Sequence, residues 1–204
     1  MVARDDLHLR VEQLLHSVGV VATDDLSGIK FHSEISPERT QFGFEANAGA
    51  SRAALTNDAQ SLVVNIGCLK DALKKWLTDQ GRTADAKAME TFIDSNRAVA
   101  IVYDLYNSMK HAGIDAKKHP PRSGHLPKLV NLRRVMRLTT GDSPSAVVLM
   151  SPQGMQTSGS VRHVLTGDVV DETSGQKLGA FDVLCADAVE SWKQLFASHG
   201  LLPP

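Results

Sequence analysis

The apolar residues of this chain recur at helical spacing over several long stretches. The strongest pattern lies between residues 51 and 80, where apolar positions follow one another at alternating intervals of four and three residues. Its members are Leu55, Ala59, Leu62, Ile66, Leu69, Leu73 and Trp76. The pattern predicts a helix of roughly 30 residues, with Ser51 as N-cap and Gly81 after its end. One helix cannot bury such a seam, so we expect it to pack in the core of a helical bundle.

Four further stretches have helical periodicity. Residues 3–18 predict an amphipathic helix that ends at Gly19, and residues 84–94 predict one or two helical turns. Residues 96–113 predict a second long helix, which we expect to pair with the helix at 51–80. The chain closes with a predicted helix at 180–199.

Two regions favour strands. In the first, residues 29–35 and 41–46 alternate between apolar and polar positions, which indicates either a short hairpin or an irregular arm. In the second, β-branched and apolar runs follow a loop rich in proline and glycine and predict an antiparallel meander of three or four strands. These runs cover residues 129–138, 146–150, 161–170 and 176–178.

The assembled pattern predicts an α+β fold, a helical bundle of about four helices with a small antiparallel β-meander inserted before the last helix. Because the last helix has its own apolar stripe, we expect it to return to the bundle and residues 1–204 to form a single domain. Its parts would be an N-terminal helix and arm at 1–50, a long helical pair at 51–113, a basic loop and meander at 114–179, and a closing helix at 180–200.

Composition restricts the class of protein. The chain has 204 residues and a net charge of -1, so no global field attracts nucleic acid or membrane. Its two cysteines, Cys68 and Cys185, have no spacing motif, which favours a reducing compartment. We find no signal peptide and no apolar run of membrane-spanning length, and we therefore expect a cytoplasmic protein without membrane contact.

The 96–113 helix carries the chain's most distinctive polar cluster. Asp104, Asn107 and His111 fall on one face of this helix, away from its apolar stripe. His111 could act as a general acid or base, with Asn107 and Asp104 as partners. Alternatively, these side chains fix the helix to the sheet or to the 20–50 arm through buried hydrogen bonds.

The run D-L-Y-N-S-M-K-H at 104–111 resembles a group of uncharacterised bacterial proteins with paired helices and a final tryptophan-containing helix, here with Trp192. More distantly, the helical pair with Asn107 and His111 resembles the HEPN superfamily, α-helical and usually dimeric proteins that include metal-independent ribonucleases of toxin–antitoxin and phage-defence systems. The resemblance places the family's catalytic histidine at His111. The family's arginine position falls on Tyr106, which cannot supply a guanidinium.

A basic segment follows this helix. Residues 110–137 contain eight basic residues and a single acidic residue, Asp115, hence a local charge of +7. The basic residues are Lys110, Lys117, Lys118, Arg122, Lys128, Arg133, Arg134 and Arg137. Such a segment is suited to contact RNA phosphates, or it keeps a loop and an edge strand solvated. No aromatic residue lies between 107 and 180, so we do not expect base stacking.

These observations favour a HEPN-like, non-catalytic module that binds RNA or a protein partner and forms a homodimer. The alternative is a metal-independent ribonuclease that uses His111. We expect no cofactor, because the chain lacks phosphate-binding and nucleophile motifs. We also expect no metal site, because His111, His119 and His125 do not have a known ligand spacing.

Overall fold

A computed structural model describes residues 2–23, 30–35, 40–45, 51–110, 120–139, 147–151, 154–158 and 160–201. These residues form five helices and eight strands. The helices are α1 (Val2–Val21), α2 (Arg52–Asp79), α3 (Thr83–Ser95), α4 (Arg97–Lys110) and α5 (Phe181–Ser198). The strands are β1 (Ala22–Thr23), β2 (Lys30–Ile35), β3 (Thr40–Glu45), β4 (Pro127–Thr139), β5 (Val147–Ser151), β6 (Gly154–Ser158), β7 (Ser160–Asp171) and β8 (Lys177–Ala180).

Helix α2 matches the predicted seam closely. All seam positions except the half-buried Trp76 are buried, because α1, α4 and α5 pack around this helix. The side chain of Ser51 accepts a hydrogen bond from the backbone amide of Ala54 at 3.1 Å and caps the helix start. Gly81 follows the helix with a φ of 72°, a conformation that favours glycine. The predicted caps are therefore confirmed.

Two helix boundaries differ from the sequence-based prediction. Gly19 does not end the first helix, which continues to Val21 and leads directly into β1. The segment predicted as one or two turns is the 13-residue helix α3, whose Ala86, Met89 and Ile93 are buried. Residues at the end of the 96–113 helix, beyond Lys110, lie outside the described residues.

The described strands are all antiparallel. β2 and β3 form the predicted hairpin, with Phe31 opposite Phe44. In the main sheet, β7 pairs with β4 along its whole length, and β1 and β8 pair with β7 as well. β5 and β6, which lie between β4 and β7 in the sequence, form a separate hairpin outside the main sheet. The strands therefore do not pair in simple chain order as those of a meander would. Among the described strands, β4 pairs with β7 alone and is an edge strand.

A β-bulge interrupts β4. Residues Asn131 and Leu132 together face the single residue Gly167 of β7. Asn131 has a φ of 55°, a left-handed conformation that asparagine tolerates better than most residues. A Cβ atom at Gly167 would lie 2.9 Å from the carbonyl oxygen of Val130, so the bulge requires glycine at that position.

One apolar core joins the helices and the sheet. Helix α5 returns to the bundle, where the ring centroid of Trp192 lies 5.0 Å from the ring centroid of Phe92 on α3. On the sheet side, Leu165 and Val169 of β7 belong to the same core. The predicted α+β fold with an antiparallel sheet before the last helix is confirmed. None of the described helices combines the length and the apolar character that crossing a bilayer requires.

Helices α2 and α4 approach closely at Gly67. A Cβ atom added to Gly67 would lie 2.3 Å from Cγ of Tyr106, which is shorter than any non-bonded contact between carbon atoms. Tyr106 itself is buried, and burial raises the pKa of its phenol to about 12. The small residue on α2 therefore makes room for the aromatic ring of α4.

We expect Gly67→Ala to lower the free energy of unfolding by about 1–3 kcal/mol, because the added methyl group forces the helices apart. This loss opposes the roughly 1 kcal/mol that alanine gains over glycine within a helix. Urea unfolding followed by circular dichroism measures the change, with Val64→Ala on the exposed face of α2 as the control. A variant more stable than the wild type would contradict this packing.

Candidate functional site

Asp104 links helix α4 to the loop that precedes β4. Its carboxylate accepts hydrogen bonds from the backbone amides of Arg122 and Ser123 at 3.1 and 2.8 Å, and from the Ser123 hydroxyl at 2.7 Å. Only 1% of Asp104 is exposed. Burial raises the pKa of this carboxyl group, although the bonds from the loop oppose that shift. The geometry therefore favours the structural interpretation of Asp104 over a catalytic one.

The other two members of the predicted catalytic cluster are Asn107 and His111. Asn107 is half-buried and lies one turn along α4 from Asp104. His111 lies outside the described residues. Tyr106, at the position of the HEPN arginine, packs in the core beside α2, with its hydroxyl 3.8 Å from the sulfur of Cys68. With its pKa raised to about 12, Tyr106 stays neutral at neutral pH.

Arg122 belongs to a network of ion pairs that joins the loop to helices α2 and α3. Its guanidinium contacts Glu90 and also Asp94, the latter at 2.8 Å. Glu90 in turn accepts a bond from Lys70 at 3.0 Å. Although burial alone would raise the pKa of Glu90, Lys70 and Arg122 hold it below its usual value. The guanidinium carbon of Arg122 also lies 5.5 Å from the ring centroid of Tyr103. Arg122 therefore stabilises the fold.

The remaining predicted RNA-binding residues have mixed environments. Lys128 forms an ion pair with Glu172 at 2.8 Å. Arg134 forms an ion pair with Asp58, also at 2.8 Å. Arg133 is exposed and donates to the carbonyl of Asn131 at 3.0 Å. Lys110 is exposed, with its ammonium 5.6 Å from the ring centroid of Tyr106. Arg137 lies on β4, whereas Lys117 and Lys118 lie outside the described residues.

An open groove of about 900 Å³ lies between the start of α2, the end of α4 and the first half of β4. Its apolar lining consists of Leu55, Leu105, Met109, Pro127, Leu129, Val130 and Leu132. Its polar lining consists of Arg52, Thr56, Gln60, Ser108, Lys128, Asn131 and Glu172. Every residue from 127 to 132 contributes, so the groove follows the β4 strand itself.

A histidine–aspartate pair joins the loop to the turn after β7. Nδ1 of His125 lies 2.9 Å from Oδ2 of Asp171. The other carboxylate oxygen of Asp171 accepts from the backbone amides of Thr173 and Ser174 at 2.8 and 3.1 Å. The bonds from Ser174 and His125 lower the pKa of this carboxyl group below its usual value.

The contact between His125 and Asp171 was not predicted from the sequence. The available signal was the D-E-T-S-G sequence, in which an aspartate that starts a turn bonds the amides after it. In the described part of the chain, no three side chains of the histidine, cysteine, aspartate or glutamate type are grouped closely enough to hold a metal ion. His111 and His119 lie outside that part.

No protein-family model matches this chain, and it matches no curated protein and no solved structure. The resemblance to HEPN proteins therefore stays a prediction from the 104–111 sequence.

We expect Asp104→Ala to lower the free energy of unfolding by roughly 2–3 kcal/mol, because it leaves two partly buried loop amides without their acceptor. Hydrogen exchange at the amides of Arg122 and Ser123 should become faster at the same time. Asp187→Ala, on the exposed face of α5, serves as the control. Unchanged exchange at both loop amides would contradict the proposed tether.

Asp171 should make stability depend on acid pH. Because its pKa is lower in the folded chain than in the unfolded one, the stabilisation is complete above about pH 4 and is lost as the pH falls further. Asp171→Asn keeps an acceptor oxygen but cannot titrate. Urea unfolding at pH 7, 4 and 3 should therefore show a steeper acid loss for the wild type than for the variant. Parallel profiles would contradict this assignment, and Asp187→Asn is the control.

Proposed function

We propose that this protein is a non-catalytic binding module that recognises a protein partner through the groove between α2, α4 and β4. The observation that carries the proposal is the combination of an apolar lining and an edge strand in one open groove. Leu55 and Leu105 belong to the core, whereas Met109, Leu129 and Leu132 are only partly buried and leave apolar surface for a ligand. Apolar contact surface with a polar rim is typical of protein-binding sites.

The charge distribution also supports a protein partner. Arg122, Lys128 and Arg134, three of the basic residues predicted to contact RNA, form ion pairs with carboxylates. The positive charge that a polyphosphate chain requires is therefore partly offset within the fold.

RNA is a second candidate ligand because part of the basic segment remains exposed. Lys110 and Arg133 are solvent-exposed, and Arg52 adds a positive charge in the groove. Without aromatic side chains in the described lining, the contacts would be to phosphates, and binding would weaken steeply with added salt.

The ribonuclease alternative depends on His111 and on a nearby arginine. Three arginines on α4, in the loop before β4 and on β4 already have other partners. Arg97 donates to the carbonyl of Leu178, Arg122 contacts Glu90 and Asp94, and Arg133 donates to the carbonyl of Asn131. A non-catalytic module is therefore the better supported proposal. Metal-free cleavage of a labelled RNA pool that is lost in His111→Ala would favour the nuclease instead.

A cytoplasmic location and a homodimer complete the proposal. Cys68 and Cys185 are free thiols in the structure, and Cys185 is buried in the core. Free thiols are typical of a reducing compartment. The homodimer rests on the resemblance alone.

Site-specific photocrosslinking in the native host tests the proposed function. A photoreactive amino acid replaces Gln60, which lines the groove, or Gln194, which is exposed on α5 and does not line the groove. We expect a protease-sensitive adduct at position 60 and none at position 194. An adduct with a second copy of the chain would identify the partner as the chain itself.

Two results of the same experiment would reject a protein partner. A nuclease-sensitive adduct at position 60 would assign the groove to RNA. Equal or absent labelling at positions 60 and 194 would mean that the groove is not a binding site for any macromolecule.

A further inference from the structure

We infer that the groove binds an extended, acidic peptide segment that adds as a strand to the free edge of β4. This inference rests on the proposed function, because it specifies the partner of the same groove. It is carried by three independent features of the described residues: the unpaired strand edge, the apolar lining and the charge around the groove.

The strand edge supplies the backbone partners. β7 occupies one edge of β4, and no other described strand pairs with the opposite edge. Alternate residues of an edge strand leave their N–H and C=O groups without a ladder partner, and an extended peptide can satisfy them. Residues 127–132 all line the groove, which gives a peptide of about six residues some 20 Å of strand to follow.

The bulge restricts where such a peptide can pair. The carbonyl of Asn131 already accepts a bond from the guanidinium of Arg133. The regular part of β4 before the bulge, residues 128–130, keeps the register of an ordinary strand. A peptide would therefore pair with these residues, and every second side chain of the peptide would face the apolar lining formed by Leu129, Leu132 and Met109.

The charge around the groove favours an acidic partner. Helix α2 begins at the groove with Arg52 and has no acidic residue in its first turn, so its positive dipole end is not offset by its own side chains. Among the described lining residues Glu172 is the one acid, and Lys128 pairs with it at 2.8 Å. A peptide that alternates apolar and acidic residues matches this surface on both faces.

Selection from a displayed library of random 12-residue peptides tests the inference on the full chain. We expect the enriched peptides to alternate apolar and acidic residues. The best of them is then synthesised with a fluorescent label, and its binding is measured by anisotropy. Arg52→Glu should weaken this binding at least tenfold, whereas Lys193→Glu, on the exposed face of α5, should leave it unchanged.

A backbone-modified peptide tests the strand pairing without altering the protein. N-methylation of two alternate amides removes their donors, and if those amides pair with β4, binding should weaken at least tenfold. Methylation of the intervening amides should have a smaller effect. Bound peptide should also slow hydrogen exchange at residues 128–130 of β4.

The possible failures of the two proposals are distinguishable. Groove-dependent peptides that bind equally well after either methylation would overturn strand addition, and groove-dependent peptides without acidic residues would overturn the acidic preference. Either result would leave a protein-binding groove. If no enriched peptide loses affinity in Thr56→Trp, which places a large ring in the groove, then both proposals fail. A labelled single-stranded RNA that binds the wild type but not Arg52→Glu, with no such peptide found, would reassign the groove to RNA.

Discussion

The buried carboxylate of Asp104 fixes the position of β4 relative to the helices. Helix α4 is held in the core by Ile101 and Leu105, and its Asp104 carboxylate contacts Arg122 and Ser123 of the loop before β4. Burying a carboxylate is costly, and three hydrogen bonds from Arg122 and Ser123 offset that cost. Because β4 begins four residues after Ser123, at Pro127, this tether sets the distance between α4 and the edge strand. The width of the groove therefore depends on it.

Local patterns were sufficient to predict most helices and one hairpin. The regular seam of α2, with Ser51 and Gly81 at its ends, combines periodicity and capping signals that all lie within one stretch of sequence. The pairing of β4 with β7 joins segments about 30 residues apart, and its register depends on tertiary packing and on the Asn131 bulge. For the same reason, periodicity placed Asp104 on a polar face of its helix but could not show that a loop buries it.

The charge of the basic segment, residues 110–137, likewise could not be predicted correctly from the local sequence alone. Counted along the sequence, residues 110–137 form a concentrated positive region. In the folded chain, Glu90 of α3, Asp58 of α2 and Glu172 after β7 each contact one of its basic side chains. These acids lie between 32 and 76 positions from their partners along the chain, so a local sequence window does not include them. A local charge count is therefore a poor guide to the field that a ligand meets.

An edge strand with basic residues and a bulge has two functional interpretations that share one physical origin. Charges and bulges prevent an open edge from pairing with other strands indiscriminately. The same features make pairing selective, because an acidic strand meets attraction where a neutral or basic strand meets none. In this chain the edge lies beside an apolar groove between two helices. An edge strand that only had to avoid association would not need a groove beside it. The groove therefore favours the interpretation of β4 as a binding edge.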